Sequence, residues 1–230
     1  MLTLDKSRRG RMPNGPVAWK LLTAAILVTL PAFGGILHAA EAGIVSAQAV
    51  DAKLKYCEVC HGAQARGFEG FYPIPRLAGQ PVEYIENELR GFTEQKRKDK
   101  QSPGATNVMF HVGHVLSPAM VKALATQLNA LNPEPVGGAP RHNVDEGHKI
   151  FVEGLAGAKV PPCASCHGPD GKGNGPIPRL AEQLYPYVVK QLTNWPHERT
   201  ETNSDIMAPI AHELNKAQIE AVAAYVSTLR

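Results

Sequence analysis

Apolar positions along the chain fall mostly at helical spacing. Val82, Ile85, Leu89 and Phe92 recur in steps of three and four, the stripe of a helix with one buried face. Val121, Leu124, Leu128 and Leu131 repeat that spacing, and so do Ile219, Val222, Val226 and Leu229. Start signals precede the last two stripes. Ser117-Pro118 reads as an N-cap followed by proline at the first helical position. Asn215 and Gln218 have the spacing of a capping box. No window alternates apolar and polar residues long enough for a strand, so the pattern predicts an all-α fold whose stripes pack a core.

The first forty residues follow another pattern. Met1–Lys20 is polar and basic, Leu21–Leu37 is apolar and uncharged, and small residues stand at Ala40 and Ala42. That is the three-part layout of a secretory signal. The apolar run is also at the lower length limit for a membrane span, and Pro31, Gly34 and Gly35 interrupt it. Residues 1–42 therefore read as a signal peptide or as a membrane anchor over residues 21–37. Either places residues 43–230 outside the cytoplasm, in the periplasm.

Compared with itself, the chain contains one unit twice. Cys57-Glu-Val-Cys60-His61-Gly62 matches Cys163-Ala-Ser-Cys166-His167-Gly168. Ile74-Pro75-Arg76-Leu77-Ala78 matches Ile177-Pro178-Arg179-Leu180-Ala181, and Gln80 matches Gln183. Further on, Met109 pairs with Met207 and His114 with His212. The offset between copies shrinks in two steps, so two loops are shorter in the second copy. Asn132–Pro140, rich in Pro and Gly, reads as an extended linker between them. The predicted domains are residues 43–135 and 136–230.

Charge narrows the function. The formal net charge is +3, but the leader's basic residues account for all of it, so no nucleic-acid partner is expected of a neutral folded part. All four cysteines sit in the two CxxC units, each followed directly by His. Two thiols three positions apart lie on one side of a helical turn and can add to the two vinyl groups of a porphyrin edge. A His immediately after the second thiol swings under the ring to the iron. CxxCH is thus the pattern of covalent c-type haem attachment, and two copies predict two haem c groups held by Cys57, Cys60, Cys163 and Cys166. A zinc ribbon would set its CxxC units much closer together, and a redox dithiol expects a βαβ context.

His61 and His167 are the expected proximal iron ligands. The one methionine correspondence between copies, Met109 with Met207, supplies the expected second ligands, since Met/His ligation is common in cytochromes c. His114 and His212 are the rival ligands. Met120 has no counterpart and reads as core. Each candidate methionine is expected on an irregular segment that wraps over the haem. Pro75 and Pro178 can offer a backbone carbonyl to the free Nδ1–H of each histidine. Arg76 and Arg179 read either as partners of haem propionates or as ordinary surface arginines.

With both CxxCH units, the Pro75–Gln80 stretch and its copy Pro178–Gln183, and the paired methionines in place, the chain over about residues 44–230 resembles the dihaem cytochromes c4. Gly147-His-Lys-Ile-Phe151 and the extended loop before Cys163 are similar to that family's second domain. The resemblance implies two tandem class I cytochrome c domains about a pseudo-twofold axis. It also implies a non-enzymatic electron carrier between redox protein partners, passing electrons to terminal oxidases or reductases. Dihaem subunits of dehydrogenase complexes, such as flavocytochrome c sulfide dehydrogenase, look similar and give the alternative reading. Two departures stand out: Glu182 occupies the place of Gly79, and the loop Ala63–Tyr72 is rich in Phe.

Overall fold

The computed structural model describes residues 45–97, 103–198 and 204–230, so the leader and its possible anchor lie outside the described residues. Nine α-helices occur among them. In the first half these are α1 (Ala47–His61), α2 (Val82–Thr93), α3 (Pro103–His114) and α4 (Pro118–Ala130). In the second they are α5 (Val144–Glu153), α6 (Ala164–His167), α7 (Tyr185–Glu198), α8 (Ser204–His212) and α9 (Lys216–Thr228). The predicted all-α class stands; the one sheet among the described residues is a two-residue antiparallel pair, Phe68–Glu69 with Pro73–Ile74.

The helix starts follow from local chemistry. Ser46 accepts a hydrogen bond from Ala49 N–H to open α1, and Ser117 accepts from Met120 N–H to open α4, with Pro118 just inside. At α9 both bonds of the Asn215/Gln218 capping box form. The two halves then pack alike. In the first, α4 lies against α1 and α2, and α2 also meets α3. In the second, α9 lies against α5 and α7, and α7 also meets α8. The CxxCH unit ends a continuous α1, whereas Gly154 and Pro161-Pro162 interrupt the equivalent helix and split it into α5 and α6.

The second half has a core of Ile150, Phe151, Val188, Val222, Ala223 and Val226 and a smaller cluster of Val160, Leu214 and Ile219. The first comprises two smaller clusters, around Ile85 and Leu128 and around Val50, Met120 and Leu124. Met120 is therefore a packing residue, as its lack of a repeat partner implied. Residues 131–140 carry no regular structure, as expected of a linker.

Crossing of α5 over α9 depends on Gly147. A Cβ there would lie 2.0 Å from the Ala221 carbonyl oxygen and 2.8 Å from the Tyr225 Cβ. Backbone cannot yield as a side chain would, so Gly147→Ala forces the helices apart. The expected loss is about 1–3 kcal/mol, the usual cost of overpacking, read as a lower denaturation midpoint. Gly157→Ala, where nothing lies within 4 Å of the added Cβ, should change stability by about 0.5 kcal/mol or less.

Candidate functional site

Each CxxCH unit closes a helix. In the first half it forms the last turn of α1, followed by Gly62 at φ 76°. In the second it forms α6 with Cys163 at the N-cap, followed by Gly168 at φ 82°. Positive φ at this point favours glycine, and at Gly62 a Cβ would also meet the Gly67 carbonyl oxygen at 2.4 Å. The chain turns back on itself: Gly67 N–H donates to the His61 carbonyl at 2.7 Å, and Gly173 N–H to the His167 carbonyl at 2.8 Å. This return carries Pro75 and Pro178 onto the histidines.

His61 and His167 are buried, 8% and 5% exposed. His61 Nδ1 donates to the Pro75 carbonyl at 2.8 Å, and His167 Nδ1 to the Pro178 carbonyl at 2.9 Å. A carbonyl only accepts, so each Nδ1 carries the proton and each Nε2 the lone pair. Burial lowers the pKa of both imidazoles, with the carbonyl bond opposing it. Among the described residues neither Nε2 has a hydrogen-bond partner. Each site thus presents a neutral, oriented imidazole with a free lone pair.

No disulfide joins the four cysteines; Cys57 and Cys163 are half-buried, and Cys60 and Cys166 are exposed. Burial pushes the Cys163 thiol up to about 11 and raises that of Cys57. Among the described residues no three His, Cys, Asp or Glu side chains assemble into a metal cage. Two thiols beside one buried imidazole, in each half, are a donor set that fits haem c.

The methionines differ from expectation in their setting. Met109 lies in α3 and Met207 in α8, both half-buried, and neither is on an irregular segment. In α3 the apolar residues Val108, Met109, Phe110 and Val112 spread over more than one side, and α8 is a 9-residue helix with Pro209 inside it. Periodicity therefore hides them. His114 is exposed and stacks on Phe110, ring centroids 5.6 Å apart, and His212 is exposed too.

Arg76 and Arg179 are not surface arginines. They are 1% and 8% exposed and meet at the junction of the halves. Glu182 Oε2 lies 3.1 Å from Arg76 Nη2 and 2.6 Å from Arg179 Nη2. Arg76 Nη1 also donates to the Pro133 carbonyl at 3.0 Å, and Arg230 reaches Glu134 at 3.1 Å. The linker therefore bonds to both halves and does more than tether them. Burial lowers the Arg76 pKa, and Glu182 opposes that. The carboxylate that replaces Gly79 is the counter-ion two buried guanidiniums require.

Two further residues went unread in the sequence, although they repeat. Gln80 Oε1 accepts from Arg179 N–H at 3.0 Å, and its Nε2 donates to the Arg179 carbonyl at 2.9 Å. Gln183 makes the same two bonds to Arg76, at 2.8 and 3.0 Å. Each glutamine thus grips the backbone of the other half. The repeat itself was the signal: a buried amide at one place in both copies needs polar partners.

A cytochrome c family model matches residues 144–230. The chain is 37% identical to cytochrome c-552 of Acidithiobacillus ferridurans, covering 86% of each chain. It is 32% identical to a thiosulfate dehydrogenase electron acceptor of Thiomonas intermedia, covering 74% of this chain and 77% of that one. Among solved structures it is similar to cytochrome c4 of Acidithiobacillus ferrooxidans, with TM-score 0.66 and 37% identity, covering 76% of this chain and 99% of that chain.

The arginine–glutamate cluster is directly testable. Glu182→Gln keeps the side chain's size and removes its charge, leaving Arg76 and Arg179 buried without their counter-ion. Breaking a buried ion pair from one side costs about 3–5 kcal/mol, which guanidinium denaturation would report. Asp170→Asn removes an exposed partner of Lys172 and should cost about 1 kcal/mol or less.

Proposed function

We propose that this chain, which belongs to the dihaem cytochrome c4 family, is an extracytoplasmic electron carrier between respiratory donors and a terminal oxidase or reductase. The observation that carries the reading is the doubled arrangement of a buried, neutral, carbonyl-anchored imidazole beside two thiols. The protein is a c-type cytochrome with two haem c groups. Each haem, when bound, supplies a one-electron ferric–ferrous couple.

In this reading residues 43–135 and 136–230 are the haem domains. Cys57 and Cys60 would hold one haem covalently, and Cys163 and Cys166 a second. His61 and His167 present Nε2 to the iron, their rings fixed from behind by Pro75 and Pro178. Met109 and Met207 would supply thioether sulfurs to the two irons, which favours the ferrous state and raises the potential. A histidine and a methionine on each iron would keep small molecules from the metal and keep ligand rearrangement between oxidation states small. Residues 1–42 supply an export signal or an anchor.

A second reading makes the chain an electron-accepting subunit of a dehydrogenase complex. The similarity to the Thiomonas protein, which by its name accepts electrons from thiosulfate dehydrogenase, favours it. Size-exclusion chromatography of the native protein separates the two: a carrier elutes alone, a subunit with a flavin- or metal-containing partner.

The carrier reading predicts that the ferrous protein at neutral pH does not bind carbon monoxide and that two one-electron waves appear on titration. Ready carbon monoxide binding contradicts it. Replacing Met109 or Met207 with Ala should remove about half of the weak long-wavelength absorption that a thioether on ferric iron gives. It should also lower one potential by a substantial part of the roughly 0.8 V range that axial ligands control. Met120→Ala should leave the band and both potentials in place and cost about 2–5 kcal/mol of stability as a core truncation.

A further inference from the structure

Four of the glutamine and histidine bonds share two peptide units. The Pro75–Arg76 peptide accepts at its carbonyl from His61 Nδ1–H, 2.8 Å, and donates its N–H to Gln183 Oε1, 2.8 Å. The Pro178–Arg179 peptide accepts from His167 Nδ1–H, 2.9 Å, and donates to Gln80 Oε1, 3.0 Å. Gln183 belongs to the half of His167, and Gln80 to the half of His61. The wiring is therefore crossed, and one peptide is all that separates each imidazole from a side chain of the opposite half.

We propose that Gln80 and Gln183 are cross-domain positioning residues, each setting the basicity of the axial histidine in the other half. The inference rests on the reading of His61 and His167 as iron ligands. A peptide whose N–H is engaged carries more negative charge on its oxygen, because hydrogen bonds in a chain polarise one another by perhaps 10–30% per bond. The carbonyl then draws harder on Nδ1–H, and the imidazole becomes a stronger donor at Nε2. A stronger donor stabilises ferric iron, so the glutamine holds the opposite centre's potential down.

Burial keeps water from substituting for the amide. Arg76, Gln80, Gln183 and Arg179 are all buried, so a peptide N–H that loses its glutamine stays unpaired. The two relays are also unequal. Gln183 Oε1 accepts from Leu184 N–H as well, at 3.0 Å. At the matching place the first half has Pro81, which has no N–H to offer. Gln80 thus gives its oxygen to Arg179, whereas Gln183 divides its own between two donors. The Gln183 relay has the shorter bonds, and the Gln80 relay the undivided oxygen.

The test uses Gln183→Leu and Gln80→Leu in the full dihaem protein, labelled with 15N-histidine and fully reduced, so that both low-spin centres are diamagnetic. The probes are the two Nδ1–H resonances and their loss during potentiometric oxidation. In Gln183→Leu the His61 signal should move upfield and its centre's potential should rise, with His167 unmoved. In Gln80→Leu the His167 signal and potential should shift instead. Movement of the histidine in the variant's own half, equal movement of both, or movement of neither with both haems retained overturns the proposal. Should leucine unfold the junction, Gln183→Met and Gln80→Met keep the side-chain length and carry the same expectation. Absence of haem from the unaltered protein would overturn instead the ligand reading beneath it.

Discussion

A buried imidazole can serve as a fixed ligand only when its second nitrogen is held. Here that hold is the hydrogen bond from His Nδ1 to a proline carbonyl, formed in both halves. The rest of the local structure is arranged to deliver it. Glycine after each CxxCH unit lets the helix end and the chain reverse. The return loop closes on the histidine's own carbonyl. Proline contributes a carbonyl without a competing N–H, and the arginine that follows points into the junction of the halves. The bond that orients the imidazole and the contacts that join the halves therefore share one stretch of backbone.

That sharing shapes the junction. Two arginines brought together by a pseudo-twofold relation repel each other in a buried setting, and a perfectly repeated chain would have no answer. Glu182 breaks the repeat where copy one has Gly79 and bridges both guanidiniums. Symmetry is kept where hydrogen bonds are reciprocal, in the glutamines, and given up where charge must be balanced. For an electron carrier this matters, because two identical centres would have no preferred direction between them. The unequal surroundings of Arg76 and Arg179, and of Gln80 and Gln183, are structural sources of difference between the halves.

Much of the fold was legible in the sequence where local chemistry decides it. Ser117-Pro118 and Asn215…Gln218 marked helix starts because capping is a matter of neighbouring residues. Pro75 and Pro178 were placed against the histidines because Nδ1 needs an acceptor and the repeat supplied one. The helices around Met109 and Met207 were not legible, because the apolar residues of α3 lie on several sides and α8 is short and carries Pro209 inside it. Nor was the burial of Arg76 and Arg179, since a guanidinium's partner here is remote in sequence. Gln80 and Gln183 were visible as repeat positions only, for nothing in one copy shows that its partner is the backbone of the other.

The central claim is that each half holds one haem covalently through its own pair of cysteines. Intact-mass measurement of the denatured protein, isolated from a host that exports and matures c-type cytochromes, tests it most directly. The account predicts a polypeptide heavier than its amino-acid mass by two haems, falling to one when Cys57 and Cys60, or Cys163 and Cys166, are replaced by alanine. A polypeptide at its amino-acid mass, with haem released freely or zinc in its place, would contradict it.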